Sequence, residues 1–517
     1  YREVEFHGTL IMASVIEQQE PRRIDSLCGE GGTLCRDYAK GPWQEIISAA
    51  EAAYDRSENC EFTSFIAYEY TGTPNNANYH RNVIFRNGNV PELPVSYLEA
   101  AKDYRLWQAL DELCGLNNNC DYMTIPHNSN MSNGSLLTPY ADLEQSDANK
   151  REYARQRLNR EPLMEIFQHK GASECVNGLK SVLGDVDELC DIENVRAFGE
   201  VSTARRFHLE GTEVVFAEAE NVETVECAEG EVGSSGMFGG GCISRNDFLR
   251  TALLTGLEQE QEIGLNPVKL GVIASTDGHT GTPGNVLENR WTGTVSGEMT
   301  VQGRLKAGTL PSGIKGNPGG LAGVWSVENS RDAIFSALQR RETFGTSGPR
   351  IAPRFFAGWE FADNSCEQTD MLEQAYAAGV SMGGDLAPAV SPGAKPRFIL
   401  AANRDPVTGS APLQQLQLIK GWVDAAGERH TRVIPVAGST DNGAGVNLTT
   451  GERFGKGFDR LCVVFEDKTF EPAFATYYYM RVVENPSPRW SMLDCLGLKE
   501  RDRPEICADL STHVVQE

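Results

Sequence analysis

Four apolar segments of the 517-residue sequence end on side chains that bind metal ions or transfer protons. The segments FTSFIAYE, YMTIPH, PLMEIFQHK and KLGVIASTDGH carry, at or near their ends, Glu69, His127, Glu165, His169, Asp277 and His279. In α/β barrels the active site lies at the carboxyl ends of the strands, because residues from separate strands converge there. The pattern therefore predicts one shared site at the ends of several strands.

The T-D-G-H segment places two kinds of metal ligand two residues apart. The carboxylate of Asp277 and a neutral imidazole from His279 together suit Zn²⁺, Mn²⁺ or Fe²⁺. Alone, this spacing is a weak signal, because a solvated loop carries it equally well. Glu69, His80 and His127 strengthen the metal hypothesis, since the chain has only eight histidines. Otherwise His127 would be a hydrogen-bonded core histidine and His80 a surface loop residue.

The sequence has two regions that differ in their pattern of apolar residues. Over the first two thirds, apolar runs alternate with amphipathic helical stretches, which is typical of a βα-repeating fold. From about Ile351, short alternating segments indicate a strand-rich region, and they are RFILAAN, LQLIKGW, RVIPVAG, LCVVFED and TYYYMRVVEN. We expect an α/β barrel over residues 1–350 and a β-rich region packed on it over residues 351–517.

Composition and charge exclude several classes of protein. A hydrophobic content of 40% is ordinary for a globular chain and argues against wholesale disorder. The net charge of −25 would repel a phosphate backbone, so no nucleic-acid partner is expected. No apolar run approaches the roughly 18 residues that a membrane span needs.

Ten of the thirteen cysteines form near-neighbour pairs. The pairs are Cys28/Cys35, Cys114/Cys120, Cys175/Cys190, Cys227/Cys242 and Cys495/Cys507. Such short loops suit disulfides in an oxidising compartment, so we expect a periplasmic or secreted protein. Cys60, Cys366 and Cys462 would be apolar fillers or form a longer-range link. The alternative is a set of reduced thiols in the cytoplasm.

The same residues lie in motifs that resemble the domain of unknown function 3604 family. The motifs run in the family's order over nearly the whole chain, and they are EYTGTP, YHRNVIF, IPHNSNMSNG, EIFQHKGASEC, ASTDGHTGTPG, GVWSVENSRDAIFSALQRRETFGTSGPRI, LQLIKGWVDAAGE and YYYMRVVENPSPRWS. That family is similar to the PHP superfamily of metal-dependent phosphoesterases, named for polymerase and histidinol phosphatase. The resemblance implies a distorted PHP-like (β/α)₇ barrel that binds two or three divalent transition metal ions. It assigns the metal ligands to Glu69, His80, His127, Asp277 and His279.

The sequence departs from the PHP pattern at its beginning. PHP chains start with a first strand that ends in His-x-His and a second that ends in Asp-His, and neither motif occurs here. We expect these ligands in a segment that precedes Tyr1, since a barrel without its first strands would expose edge strands and core surface. The other hypothesis is a reduced relative with an incomplete site.

The expected reaction is hydrolysis of a phosphate-type ester by a metal-activated water. The substrate would be a small anionic ester, with phosphonate and sulfate esters also compatible. Asp277 and His279 are the expected catalytic residues. Arg81 and Lys170, together with Arg350, are expected to hold the ester oxygens, although each would serve equally well in an ion pair with an acidic residue.

We expect a supporting role for two further glutamates, and we also consider a second class of function. Glu165 and Glu174 would orient the metal ligands from outside the ligand set. The alternative function is a noncatalytic surface or scaffold protein on a degenerate metal-binding barrel, whose strand-rich region contacts partners. A homo-oligomer is compatible with both functions.

Overall fold

The computed structural model describes residues 12–13, 15–116, 119–140, 143–204, 207–210, 213–216, 220–306, 312–389 and 391–517. Its α-helices are α1 Asp25–Cys28, α2 Thr33–Ala53, α3 Asp103–Leu116, α4 Asp147–Arg160, α5 Leu249–Ile263, α6 Val301–Arg304, α7 Arg331–Gln339, α8 Met371–Ala378 and α9 Trp490–Gly497. Among these described residues, no helix has the length and apolar character needed to cross a membrane.

Local sequence explains where two of these helices begin. The Ser146 side chain accepts a hydrogen bond from Asn149 N at the start of α4, and Ser330 does the same for Ala333 N at the start of α7. Serine is favoured at this position because its side chain satisfies an otherwise unpaired backbone N–H of the first turn. Both α3 and α7 lie among the amphipathic helical stretches that alternate with apolar runs in the sequence.

The strands that precede residue 350 are short. They are β1 Ala67–Tyr70, β2 Arg81–Phe85, β3 Tyr122–Pro126, β4 Leu163–Glu165, β5 Phe167–Gln168, β6 Gly171–Ala172, β7 Val201–Ala204, β8 Phe207–Glu210, β9 Glu213–Phe216, β10 Glu220–Glu223, β11 Gly271–Ile273, β12 Leu321–Val324 and β13 Thr343–Thr346. Several are only two to four residues long, so loops carry much of the chain between the helices.

Seven of these strands lie side by side in an arc. β2 pairs antiparallel with both β1 and β3, so that β1 and β3 run in the same direction. β3 lies beside β4, β4 pairs in parallel with β11, and β11 lies beside β13, which pairs antiparallel with β12. About ten residues join β1 to β2, fewer than a parallel crossover needs, so β2 returns antiparallel. The complete (β/α)₇ barrel stays a prediction.

One face of this arc is packed with apolar side chains. Met123 of β3, Leu163 of β4 and Ile273 of β11 are buried against one another. Phe335 and Leu338 of α7 complete the cluster from the helix side. Because these strands share one core, the residues at their carboxyl ends are held at a common edge.

The region after residue 350 is built from antiparallel sheets. Its strands are β14 Ala352–Gly358, β15 Gly379–Ser381, β16 Arg397–Asn403, β17 Leu413–Val423, β18 Arg429–Gly438, β19 Gly445–Val446, β20 Arg453–Phe454, β21 Arg460–Glu466, β22 Ala475–Glu484, β23 Ser487–Pro488 and β24 Val514–Val515. One sheet has the order β15-β14-β16-β21 and a second has the order β18-β17-β22. Their apolar faces share a core that includes Phe398, Leu400, Leu416 and Leu418. The five alternating segments of the sequence lie in β16, β17, β18, β21 and β22.

Six disulfides cross-link the chain. The five predicted near-neighbour pairs are all bonded, which confirms that prediction. A sixth disulfide joins Cys366 to Cys462 across 96 positions and is the longer-range link among the remaining cysteines. Cys60 is the free cysteine and is half-buried.

Candidate metal centre

The first ligand cluster combines one carboxylate with two imidazoles. Glu69 lies in β1, His80 immediately precedes β2, and His127 immediately follows β3. Glu69 Oε1 lies 2.8 Å from His80 Nδ1 and 3.3 Å from His127 Nε2. The sequence brings them together because the antiparallel turn from β1 to β2 returns His80 to the level of Glu69, beside the end of β3.

Opposing effects set the protonation of this cluster. Burial raises the pKa of Glu69, but the hydrogen bonds from His127 and His80 outweigh it and hold that pKa well below its ordinary value. Burial lowers the pKa of His80. For His127, the hydrogen bond with Glu69 and the charge of Glu165 outweigh burial and raise the pKa. The carboxylate is therefore ionised at neutral pH, as a metal ligand must be.

The second cluster consists of His169, Asp277 and His279. His169 lies in the turn between β5 and β6, and Asp277 follows β11 by four residues. Asp277 Oδ2 lies 3.5 Å from His169 Nε2, and the rings of His169 and His279 are 6.0 Å apart. Burial raises the pKa of Asp277, but the neighbouring His169 ring and the Lys170 ammonium lower it well below its ordinary value. Lys170 Nζ contacts Asp277 Oδ2 directly.

A single side chain connects the two clusters. Gln168 Nε2 donates to Asp277 Oδ2 at 2.9 Å and to Asn128 Oδ1 at 3.1 Å. Asn128 follows His127 directly, so the amide spans the space between one cluster and the other. His127 and Asp277 also act on each other electrostatically. The two clusters therefore occupy neighbouring positions at one edge of the strand arc.

Backbone conformation at the site is unusual in two places. Asn128 has φ of 57° and Asp277 has φ of 48°. Residues other than glycine seldom adopt a positive φ, although Asn and Asp tolerate it best. Such conformations concentrate at functional sites, where the surrounding structure holds them. Both residues lie in the loops that carry the ligands.

One family model describes this chain. The model, whose description is a protein of unknown function (DUF3604), matches residues 3–517. The chain belongs to the DUF3604 family. No curated protein and no solved structure matches it. Because the match covers nearly the whole DUF3604 chain, the ligand clusters and the C-terminal sheets are parts of one family unit.

Arg81 follows His80 in the sequence, but its side chain does not lie at the ligand cluster. Its side chain in this DUF3604 protein is fully buried. Arg81 Nε lies 2.7 Å from Glu161 Oε2, and Nη2 lies 3.5 Å from Asp103 Oδ2. The structure therefore places the Arg81 guanidinium in a buried ion pair with two carboxylates, away from the position that holding a substrate oxygen would need.

Two other residues that the sequence singled out make contacts elsewhere in the chain. Glu174 lies between the two halves of the chain, where it pairs with Arg250 and Arg481 instead of the metal ligands. Arg350 is exposed, and its backbone N–H donates to Asp405 Oδ2 in the C-terminal region. Lys170 is the expected cation that does lie at the ligand clusters.

The five metal ligands implied by the family resemblance do not include His169, although the structure places it in the second cluster. The sequence offered the same signal as for His127, since QHK also follows an apolar strand. Glu165, from the same segment, is buried at the end of β4, where it accepts a hydrogen bond from Ser275 Oγ. Burial raises the pKa of Glu165 to about 7, against the lowering effect of the His127 charge.

Two further groups of possible ligand residues lie outside this centre in the described chain. Cys175 and Cys190 lie with Asp187, but the two thiols form a disulfide. Asp424, Glu428 and His430 lie on the hairpin between β17 and β18, where Asp424 Oδ1 is used by two backbone N–H groups of the turn.

Proposed function

We propose that this DUF3604 protein is a metal-dependent hydrolase of phosphate-type esters, similar to the PHP phosphoesterases. The observation that carries the proposal is the pair of adjacent three-residue clusters. In each cluster one potential ligand atom from every residue lies within 4.8 Å of the others. Two neighbouring groups of this kind are the arrangement that two-metal hydrolases use.

The donor atoms fit divalent transition metals. Each cluster offers two imidazole nitrogens and one carboxylate, the ligand set that suits Zn²⁺, Mn²⁺ and Fe²⁺. Buried ring nitrogens of His80, His127 and His169 have no hydrogen-bond partner within the described chain. An unpaired buried polar atom is costly, so these nitrogens support the binding of a ligand at the site.

The side chains around the clusters have complementary roles. Bound cations would lower the pKa of a nearby water and neutralise the oxygens of an ester group. Asp277 and His279 provide ligand atoms at the open side, since His279 is exposed. Lys170 Nζ, whose side chain is 15% exposed beside Asp277, donates to a nonbridging ester oxygen. Gln168 donates a hydrogen bond to Asp277 and holds its carboxylate in place.

The charge and the cysteines indicate the kind of substrate and the compartment. With a net charge of −25, the protein would attract an anionic ester only through a local cationic centre. The substrate we propose is therefore a small anionic ester, a phosphate before a phosphonate or sulfate. Six disulfides are consistent with an extracellular or periplasmic protein.

Metal analysis and esterase assays on the natural full-length protein test this proposal. We expect two or more bound transition metal ions per chain by elemental analysis. We also expect hydrolysis of an aryl phosphate that chelation abolishes and Mn²⁺ or Zn²⁺ restores, with aryl phosphonate and aryl sulfate assayed in parallel. A protein that binds no metal would contradict the hydrolase and favour the noncatalytic scaffold.

A further inference from the structure

A large cavity lies between the two halves of the chain. Its volume is about 1150 Å³, and its walls come from α5 and β11 on one side and from the C-terminal sheets on the other. Protein interiors are close-packed and their voids are small, whereas pockets for small molecules measure about 300–1,000 Å³. None of the six residues of the two ligand clusters lines this cavity. It is therefore a second space, large enough for an organic ligand.

The walls of the cavity are mostly apolar. Phe355 and Ala357 lie on the same face of β14, because side chains alternate along a strand. Val380 of β15 and Phe398 of β16 pair directly with Ala357 and also line the cavity. Leu253 of α5 lies on the other wall. A ligand would bury apolar surface against both walls.

One cation on the wall has no acidic partner. Three acidic side chains of the lining are already paired, and the pairs are Glu174–Arg250, Glu193–Arg489 and Asp385–Lys269. Arg341 also lines the cavity, and its Nε donates to the carbonyl oxygen of Gly383 at 2.7 Å. Within the described part of the chain, Nη1 and Nη2 of Arg341 have no hydrogen-bond partner and form no ion pair. These two nitrogens can bind an anionic group.

The sequence places Arg341 where the backbone favours glycine. Arg341 directly follows the last turn of α7 with φ of 62°, and its N–H bonds back to a carbonyl of that turn. Glycine is the usual residue at this position, because other side chains are strained there. Gly271 and Gly383 make room for the arginine, since a Cβ on either would lie 2.6 Å or 2.5 Å from Arg341 Cβ. A strained arginine in a space cleared by two glycines indicates a role for its side chain.

We infer that the cavity binds a carboxylate with one long apolar chain, whose head group contacts Arg341 and whose chain lies along the apolar walls. A guanidinium binds a carboxylate through two parallel N–H groups. Burial of the chain contributes the hydrophobic part of the affinity. A doubly charged phosphate head would be repelled by the acidic side chains of the lining, whereas a carboxylate carries a single charge. The inference goes beyond the proposed function and does not depend on bound metal.

Three variants separate the head group from the chain. Arg341→Gln removes the charge that would bind the carboxylate. Arg340→Gln is the matched control, because it removes the same charge one position earlier, where Arg340 is 55% exposed, pairs with Glu342 and lies outside the cavity lining. Ala357→Phe keeps Arg341 and fills part of the cavity. Thermal unfolding of the ligand-free variants verifies that each is folded.

Isothermal titration calorimetry with laurate measures binding to the full-length protein, after passage over a lipophilic resin. We expect the natural protein to bind about one laurate per chain and to show no measurable binding of acetate, which has the head group alone. Arg341→Gln should weaken laurate binding by about 10–100-fold, because a hydrogen-bonded charge is lost. Arg340→Gln should bind as the natural protein does, and Ala357→Phe should bind laurate more weakly.

The outcomes also separate this inference from the proposed function. Absence of laurate binding to the natural protein would overturn the inference, and so would equal affinities of Arg341→Gln and Arg340→Gln. Unchanged binding by folded Ala357→Phe would place the laurate site outside this cavity and contradict the inference as well. None of these results bears on the metal centre, and a protein without metal ions that still binds laurate through Arg341 would leave the inference standing.

Discussion

Thr294 Oγ1 lies 3.0 Å from Nδ1 of His169, and this contact determines which ring nitrogen of His169 is available to a metal. Thr294 Oγ1 also lies 2.9 Å from Glu298 Oε2. Because the carboxylate only accepts, the hydroxyl donates to Glu298 and accepts from His169 Nδ1–H. The proton is thereby held on Nδ1, and Nε2 presents its lone pair towards Asp277.

Thr294→Val should weaken metal binding without unfolding the protein. Valine keeps the volume of threonine but cannot hold the proton of His169 on Nδ1. Loss of such an orienting partner lowers metal affinity by about 10–100-fold. Competition with a fluorescent chelator measures this change, and Thr294→Ser serves as the control because it retains the hydroxyl. Equal affinities for the valine variant and the natural protein would show that Thr294 does not orient the ring.

Asp277→Asn should lower metal occupancy and kcat together. The substitution keeps the shape of the side chain but removes the charge that faces His169 and Lys170. We expect kcat for aryl phosphate hydrolysis to fall by on the order of a hundredfold, because the lost interaction stabilises charge in the transition state. The thermal unfolding temperature should change little.

Asp424→Asn is the matched control for that variant. Asp424 Oδ2 lies 2.8 Å from His430 Nε2, so it forms a comparable Asp–His contact away from the candidate centre. We expect this variant to keep its metal ions and its kcat. An equal loss in both variants would assign the effect of Asp277→Asn to general destabilisation.

The sequence predicted those features that depend on local pattern. Alternation identified the C-terminal strands, and the short sequence separations of 6 to 15 positions between paired cysteines identified five disulfides. Glu69, His127 and Asp277 were found because each follows an apolar segment. Residues at the ends of neighbouring strands lie at one edge of a sheet, whatever the sheet's further path.

Features that depend on long-range contacts were not predicted. Arg81 follows a ligand in sequence, but only the tertiary structure shows that Glu161 and Asp103 enclose it. Thr294 acts on His169 from 125 positions away, and no pattern connects the two. Cys366 and Cys462 pair because β21 carries Cys462 back to the chain segment that follows β14, which sequence spacing cannot reveal.

The ion pairs of Glu174 should make stability depend on pH. Glu174 accepts from Arg250 Nη2 at 2.7 Å and from Arg481 Nη1 at 3.1 Å. Burial raises the pKa of Glu174, but the charges of Arg481 and Arg250 outweigh it and lower the pKa to about 2. A carboxyl whose pKa is lower in the folded state stabilises the fold above its unfolded pKa of about 4.3, and this stabilisation disappears as the pH falls towards 2.

Glu174→Gln should therefore lower the free energy of unfolding by about 3 kcal/mol at pH 7 and by only about 1 kcal/mol at pH 3. Urea unfolding at the two pH values measures this difference. Glu152→Gln is the control, because its ion pair with Arg155 is exposed and contributes little at either pH. A loss that is the same at both pH values would mean that the charge of Glu174 is not the stabilising element.

Mass spectrometry of the unreduced, alkylated protein should show one alkylated cysteine. The half-buried thiol of Cys60 is expected to react after unfolding, and the other twelve cysteines should appear as six linked pairs. Alkylation at most of the twelve would place the protein in a reducing compartment.

The six disulfides should differ in what they contribute to stability, because they close chain loops of very different length. Cys366–Cys462 closes 96 positions, whereas Cys28–Cys35 closes 7. A longer loop loses more conformational freedom in the unfolded chain, so replacing both cysteines by serine should cost about 4–5 kcal/mol for the first pair and about 2 kcal/mol for the second. Urea unfolding of the two double variants measures these costs. A smaller loss for Cys366/Cys462 than for Cys28/Cys35 would show that loop entropy does not govern the stabilisation of this fold.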